Sequence, residues 1–185
     1  MNPIRSSLSR GLCMIALGVA LLPVGAAAAD RGALERDARA ALQKLTGSVP
    51  AAKSLSQTAT AVLVFPKITK AGLGVGGQYG DGVLFKGGKV AGYYNTSGAS
   101  YGLQAGAQQF GYAMFLMNEK AIGALGANEG FEVGVGPSVV VVDEGKAKTM
   151  TTTTAKDDIY AFIFGQKGLM AGLGIQGNKI TRLKD

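Results

Sequence analysis

From Ala71 to Gly77 the chain reads Ala-Gly-Leu-Gly-Val-Gly-Gly, and the same alternation of a small or polar residue with an apolar one recurs through much of the sequence. Period-two spacing is the signature of pleated strand, because successive side chains point to opposite faces. Glycine at every second position strips one of those faces nearly bare. A bare face lets another sheet, a helix or an acyl chain approach the backbone closely, which suits a binding scaffold better than a reaction centre.

The N-terminus carries Arg5 and Arg10, then an apolar run from Gly11 to Val24 interrupted by Pro23, then Gly25 and four alanines. That order predicts a secretory signal peptide over residues 1–29, cleaved between Ala29 and Asp30. The apolar run is shorter than the about 20 residues that span a bilayer. Cys13 opens the apolar region rather than closing it behind small residues, so lipidation is not expected. Cleavage leaves 185 − 29 = 156 residues with no cysteine, enough for one well-buried domain over 30–185 that an ordinary core must stabilise. Its charge is 19 − 2 = 17 basic against 12 acidic residues, a net +5. This favours anionic surfaces, but the basic residues are dispersed and no nucleic-acid patch is expected.

The chain has no histidine, which removes the commonest general base and the commonest transition-metal ligand together. Ser-His-Asp, Cys-His and histidine-zinc chemistries are excluded. The carboxylates Asp81, Glu119, Glu129, Glu132, Asp143, Glu144, Asp157 and Asp158 fall almost entirely at expected turns or caps, where they have local structural work. No catalytic residue, cofactor or metal site is assigned, and an enzyme is not expected.

Leu34, Ala38, Leu42 and Leu45 lie on one side of residues 30–45, with Arg31, Glu35, Arg36, Arg39 and Lys44 around the rest, which predicts an amphipathic helix. A second short helix is expected over 51–57, completing a helical lead over 30–59. The core, 60–185, opens with an apolar strand from Thr60 to Phe65 closed by Pro66. Short strands are then expected at Ala71–Tyr79, Gly82–Phe85, Val90–Tyr94, Ser100–Phe110 and Tyr112–Met117. Lys86-Gly87-Gly88-Lys89 is the clearest hairpin turn. Asn118 is placed to cap a helix running to Gly123 or Leu125. Beyond it, strands are expected around Phe131, Val133 and Val135, over Ser138–Val142 (buried on both faces), over Thr149–Thr154, over Ile159–Phe164 and around Leu169–Ile175.

Gly72, Gly74 and Gly77 match a dinucleotide-binding spacing, as do Gly172, Gly174 and Gly177. Both matches sit inside strand pattern rather than between a strand and a helix N-terminus, so neither is read as a nucleotide site. Gly72, Gly74, Gly76, Gly172 and Gly174 are read instead as close-packing positions. Lys67, Lys70, Lys86, Lys89 and Lys167 flank the glycine strands and the hairpin turn, either as ordinary solvated lysines or as cations sharing one rim that meets lipid phosphates.

The segments Val64-Phe65-Pro66, Lys70 to Leu84, Ser100 to Gln108, Leu116 to Ala121 and Lys167 to Leu173 together resemble, in order, the SYLF domain family. The resemblance spans nearly the whole mature chain and implies a phospholipid-binding module. Eukaryotic relatives bind phosphoinositide membranes partly through an N-terminal amphipathic segment, and some bind and bundle actin. Bacterial relatives are typically exported. Carried over position by position, it offers as lipid contacts Arg31, Arg36, Arg39, Lys44, Lys67 and Lys70, and no catalytic residue.

The expected fold is α+β: N-terminal amphipathic helices packed on a strongly bent, glycine-rich antiparallel sheet or partial β-barrel. The expected function is peripheral binding of anionic phospholipid in the periplasm, after export across the inner membrane. Basic residues would meet the headgroups, while the Leu34, Leu42 and Leu45 face or a glycine-lined groove would meet apolar lipid. Actin is not expected as a partner in that setting. The competing readings are an envelope structural or protein-interaction module and an integral outer-membrane barrel.

Overall fold

The computed structural model describes residues 26–126, 130–142, 156–168 and 177–184. Most of the expected leader, the strand at Thr149–Thr154, and Gly172 and Gly174 lie outside these residues. Helix α1 (Ala26–Ser48) is followed by α2 (Pro50–Thr58), strands β1 (Ala61–Lys86) and β2 (Lys89–Leu116), helix α3 (Glu119–Leu125), and strands β3 (Phe131–Glu132), β4 (Val139–Val142), β5 (Ile159–Gly168) and β6 (Lys179–Arg182). The class is α+β, with the N-terminal helices packed on a strongly bent sheet. No helix among the described residues is long and apolar enough to cross a membrane.

The five short strands expected between residues 71 and 117, with the one before Pro66, are in fact two. Strands β1 and β2 form one antiparallel hairpin of 26 and 28 residues, paired from Ala61↔Leu116 to Lys86↔Lys89. Gly87 and Gly88 turn it with φ of 57° and 75°, the two positive φ values that a type I′ turn requires. Pro66 does not close the strand: it sits in a one-residue bulge, since Phe65 pairs with Tyr112 and Ile68 with Phe110. A bulge tolerates the missing N–H.

A straight strand of this length would run for about 85 Å, but the hairpin is folded in half. A Cβ on Gly80 would lie 2.7 Å from Ile68 Cγ1 and from the Lys67 carbonyl oxygen. One on Gly82 would lie 2.6 Å from Phe65 Cδ1, and one on Gly72 would overlap Gly76 Cα. Residues 76, 80 and 82 therefore lie back over 72, 68 and 65 of the same strand. At the fold the register shifts from Leu73↔Ala105 to Val75↔Tyr101, two steps of β1 against four of β2. Extra residues in one strand bend a ladder and raise its twist, and glycine supplies the clearance.

Each half of β2 then takes its own neighbours. Tyr94 to Ser97 pair with β6, which pairs with β3, while Gln108 to Leu116 pair with β5, which pairs with β4. The sheet is antiparallel except at β4, which runs parallel to β5. Strand β4, the last in the order among the described residues, is only half-covered at Val139 to Val141, not buried on both faces. The strand expected through Val133 and Val135 stops at Glu132, because Gly134 and Gly136 take φ of 104° and 99° and turn the chain.

Two apolar clusters lie on the two faces of the bent sheet. The inner one sets Leu63, Phe65, Ile68, Tyr112 and Met114 of one half against Leu84, Tyr94, Phe131 and Ile180 of the other. The rings of Phe65 and Tyr112 stand 4.7 Å apart. The outer cluster joins Val62, Val64, Phe85, Phe115 and Phe162 to Ala38, Leu45, Ala51, Ala52 and Leu55 of the two helices. Its aliphatic helix positions recur every three or four residues, the spacing that lays one stripe on a sheet. Apolar side chains thus fill the bend, and helices cover part of the outer face, whereas a transmembrane barrel presents an apolar exterior to lipid.

Candidate functional site

Helix α1 packs on β1, and its arginines reach the end of β1, the hairpin turn and the start of β2. Arg39 sits 4.7 Å above the Phe85 ring, donates from Nη1 to the Gly88 carbonyl at 3.1 Å, and forms an ion pair with Glu35 Oε1 at 2.8 Å. Two turns earlier, Arg31 lies 5.0 Å from the Tyr93 ring centre and donates from Nη2 to the Lys184 carbonyl at 2.7 Å. On the neighbouring β6, Arg182 reaches the Ala91 carbonyl at 3.4 Å. At the hairpin tip Lys86 and Lys89 are opposite each other, and Lys86 pairs with Glu119 at 2.8 Å.

Arg31, Arg39, Lys86, Lys89, Arg182 and Lys184 thus come from four segments onto one edge of the molecule. Sequence reasoning named Arg31, Arg39 and the two hairpin lysines but missed Arg182 and Lys184. Their only signal was a basic, alternating C-terminus, and strand pairing of Tyr94 with Arg182 is what brings it here. Arg182 also lies near Tyr94, whose hydroxyl pKa burial raises and Arg182 partly restores. Arg36 and Lys44 are exposed on α1.

The leucine stripe of α1 faces inward. Leu45 is buried in the outer cluster, and Leu34 and Leu42 pack against it. The apolar helix face is therefore covered by the protein's own sheet, and lipid could meet it only if α1 left that sheet. Lys67 and Lys70 are far along the chain from the hairpin tip and differ from each other. Lys67 is exposed, whereas Lys70 is 7% exposed and lies two residues beyond Ile68 on the inner face. Lys167 pairs its backbone with Gln109. Gly72, Gly74 and Gly76 all lie in β1 where the hairpin folds, which also disposes of the first dinucleotide-like spacing.

Among the described residues, Asp158 is the most strongly perturbed carboxylate. It accepts from Asn118 Nδ2 at 2.7 Å, the Ser138 amide at 3.0 Å and Lys120 Nζ at 3.1 Å. These bonds, Asn118 foremost, lower its pKa to about 2. Asn118 in turn accepts from the Ala121 amide at 2.9 Å, the expected cap of α3. This carboxylate ties three elements together rather than facing a cleft.

No curated protein matches the chain. Residues 97–185 match the family model Ysc84, described as Las17-binding protein actin regulator. The matched stretch begins on β2 just before the fold of the hairpin and contains the Ser100 to Gln108, Leu116 to Ala121 and Lys167 to Leu173 segments that resemble SYLF domains. Residues 97–185 thus carry a Ysc84, or SYLF, domain match, in agreement with the resemblance read from the sequence.

Proposed function

We propose that the protein is an exported phospholipid-binding protein that docks peripherally on anionic membrane through its cationic edge. The observation that carries this reading is the convergence of Arg31, Arg39, Lys86, Lys89, Arg182 and Lys184 from α1, the hairpin tip, β6 and the residues after it. Each cation near an anionic surface contributes about 1 kcal/mol, and the attraction fades within a Debye length. The family match over residues 97–185 supports the reading, as does the leader-like N-terminus, on which the periplasmic location rests. Contact is with headgroups, since the α1 leucines are engaged by the sheet. No reaction forms part of this function.

Co-sedimentation of the purified protein with phosphatidylglycerol and phosphatidylcholine vesicles across a salt series tests it. Binding is expected only to the anionic vesicles, weakening as salt rises. Each of Lys89→Ala, Arg182→Ala and Lys184→Ala should reduce it about fivefold at low salt. Equal binding to both vesicles, or none, would sink the proposal. The description of the matched family favours, as a second reading, a protein-interaction module. Capture of a specific envelope protein without vesicle binding would select it.

A further inference from the structure

The folded hairpin touches itself in two different ways. Between Gly72 and Gly76 the contact is local: a Cβ on Gly72 would overlap Gly76 Cα and lie 2.7 Å from the Val75 carbonyl oxygen, because the chain turns back there. In a straight strand those two residues stand about 13 Å apart. The remaining contacts join one half to the other. Gly82 lies on Phe65 and Gly80 on Ile68, Leu84 and Tyr94 share the inner cluster with Phe65, Tyr112 and Met114, and Tyr112 Oη donates to Thr96 Oγ1 at 2.9 Å. Contacts of this second kind need a neighbouring half, but they do not need it to come from the same chain.

The joint between the halves is short. It consists of β1 around Gly72 to Gly77 and β2 around Tyr101 to Ala105, where the register shifts, and straightening it restores the ordinary extended geometry of a strand. No charged residue lies from Ala71 to Gly80 or from Thr96 to Asn118, so two such joints can run side by side without like charges opposed. Val75 is 63% exposed and Tyr79 58%, on one face of β1 beside the joint. The monomer leaves both in water, where the joint of a second copy would cover them.

We propose that the protein forms an exchanged dimer with a second copy of itself, in which each chain straightens at this joint and gives residues 76–100 to the other. The contacts between halves are then remade between chains, among them Tyr112 with Thr96, Arg39 with Phe85 and Lys86 with Glu119. The contact at Gly72 disappears, and Val75 and Tyr79 meet their symmetry mates across a two-fold axis, the self-complementary arrangement of such dimers. Within one chain the joint holds the outer half at an effective concentration on the order of millimolar. Closing therefore wins in dilute solution, and exchange wins when the chain folds at high concentration. The exchange does not rest on the membrane reading.

Refolding the purified protein at about 1 μM and at about 1 mM, below and at the effective concentration of the joint, tests it by size-exclusion chromatography with light scattering. Monomer is expected at the low concentration and a monomer–dimer mixture at the high one. A carbodiimide then joins Lys86 to Glu119, which lie 2.8 Å apart, one in the exchanged part and one in the retained part. The isolated dimer should give a covalent dimer on a denaturing gel, and the Glu119→Gln dimer should not. Gly72→Val obstructs only the closed chain and should raise the dimer-to-monomer ratio about tenfold or more. Gly82→Ala crowds Phe65 in both states and should leave the ratio unchanged. Monomer alone at the high concentration overturns the proposal. So does a dimer cross-linked only within its chains, or an equal rise in ratio for both glycine variants. The wild-type chromatogram and cross-link decide the matter even where a variant fails to fold.

Discussion

Tyr112 Oη and Thr96 Oγ1 form a 2.9 Å hydrogen bond between two fully buried side chains of the same strand. Sixteen positions separate them, so the bond exists only because β2 doubles back. It joins the two halves of the sheet across the inner core.

Tyr112→Phe removes the donor and leaves Thr96 buried, and should cost about 1–2 kcal/mol in denaturant unfolding. The pH dependence should change as well. Burial pushes the Tyr112 hydroxyl well above its ordinary value of 10.0, with hydrogen bonds to Thr96 and Asn178 opposing the shift only in part. The native state therefore holds its proton where the unfolded chain releases it. This contribution is complete below pH 10 and is lost as pH rises beyond it. Tyr112→Phe should flatten the alkaline limb of a stability profile, and an unchanged limb would show that Tyr112 does not set it.

Gly82→Ala places a methyl 2.6 Å from Phe65 Cδ1 and 2.8 Å from the Val64 carbonyl oxygen. Overpacking of that kind costs about 1–3 kcal/mol. Gly87 stands where nothing lies within 4 Å of an added Cβ, but its φ is 57°, so Gly87→Asn, which tolerates that conformation, should cost less than Gly82→Ala. Thermal melts of the two variants test the folded hairpin directly. Equal small losses would count against residues 80–82 lying on 65–68.

Asp158 has a folded pKa of about 2 against an ordinary 3.8, set chiefly by the Asn118 amide. A depressed carboxylate stabilises the fold fully above its unfolded value and loses that contribution as pH falls from about 4 towards 2. Asp158→Asn should remove this part of the acid transition and loosen the α3 cap, visible as faster exchange of the Ala121 amide that Asn118 holds. Exchange at wild-type rate would mean that Asn118 needs no support from Asp158.

Much of the local structure was legible in order along the chain. Gly87-Gly88 between two lysines specified a hairpin turn, and the structure gives both glycines the positive φ of type I′. Asn118 specified a helix start, because its side chain competes for the orphan amide of Ala121. The α1 stripe specified a helix buried on one side, the helical lead followed by alternating strands specified an α+β chain, and composition excluded histidine chemistry.

Tertiary structure decided what those pieces are for. Pro66, Gly80-Asp81 and Asn95 read as strand ends, since locally they are turn residues. They lie inside two long strands because a bulge absorbs the proline and the glycines admit the other half of the hairpin. Lys67 and Lys70 look equivalent in sequence, yet that same bulge and the strand pleat turn one outward and the other inward. The leucines suited lipid and sheet equally, since burial is non-directional, and the sheet took them. Arg182 and Lys184 joined the cationic edge by pairing with a strand more than 80 residues away. Pattern records what each residue can do locally, but which of those options is used depends on neighbours that only chain folding supplies.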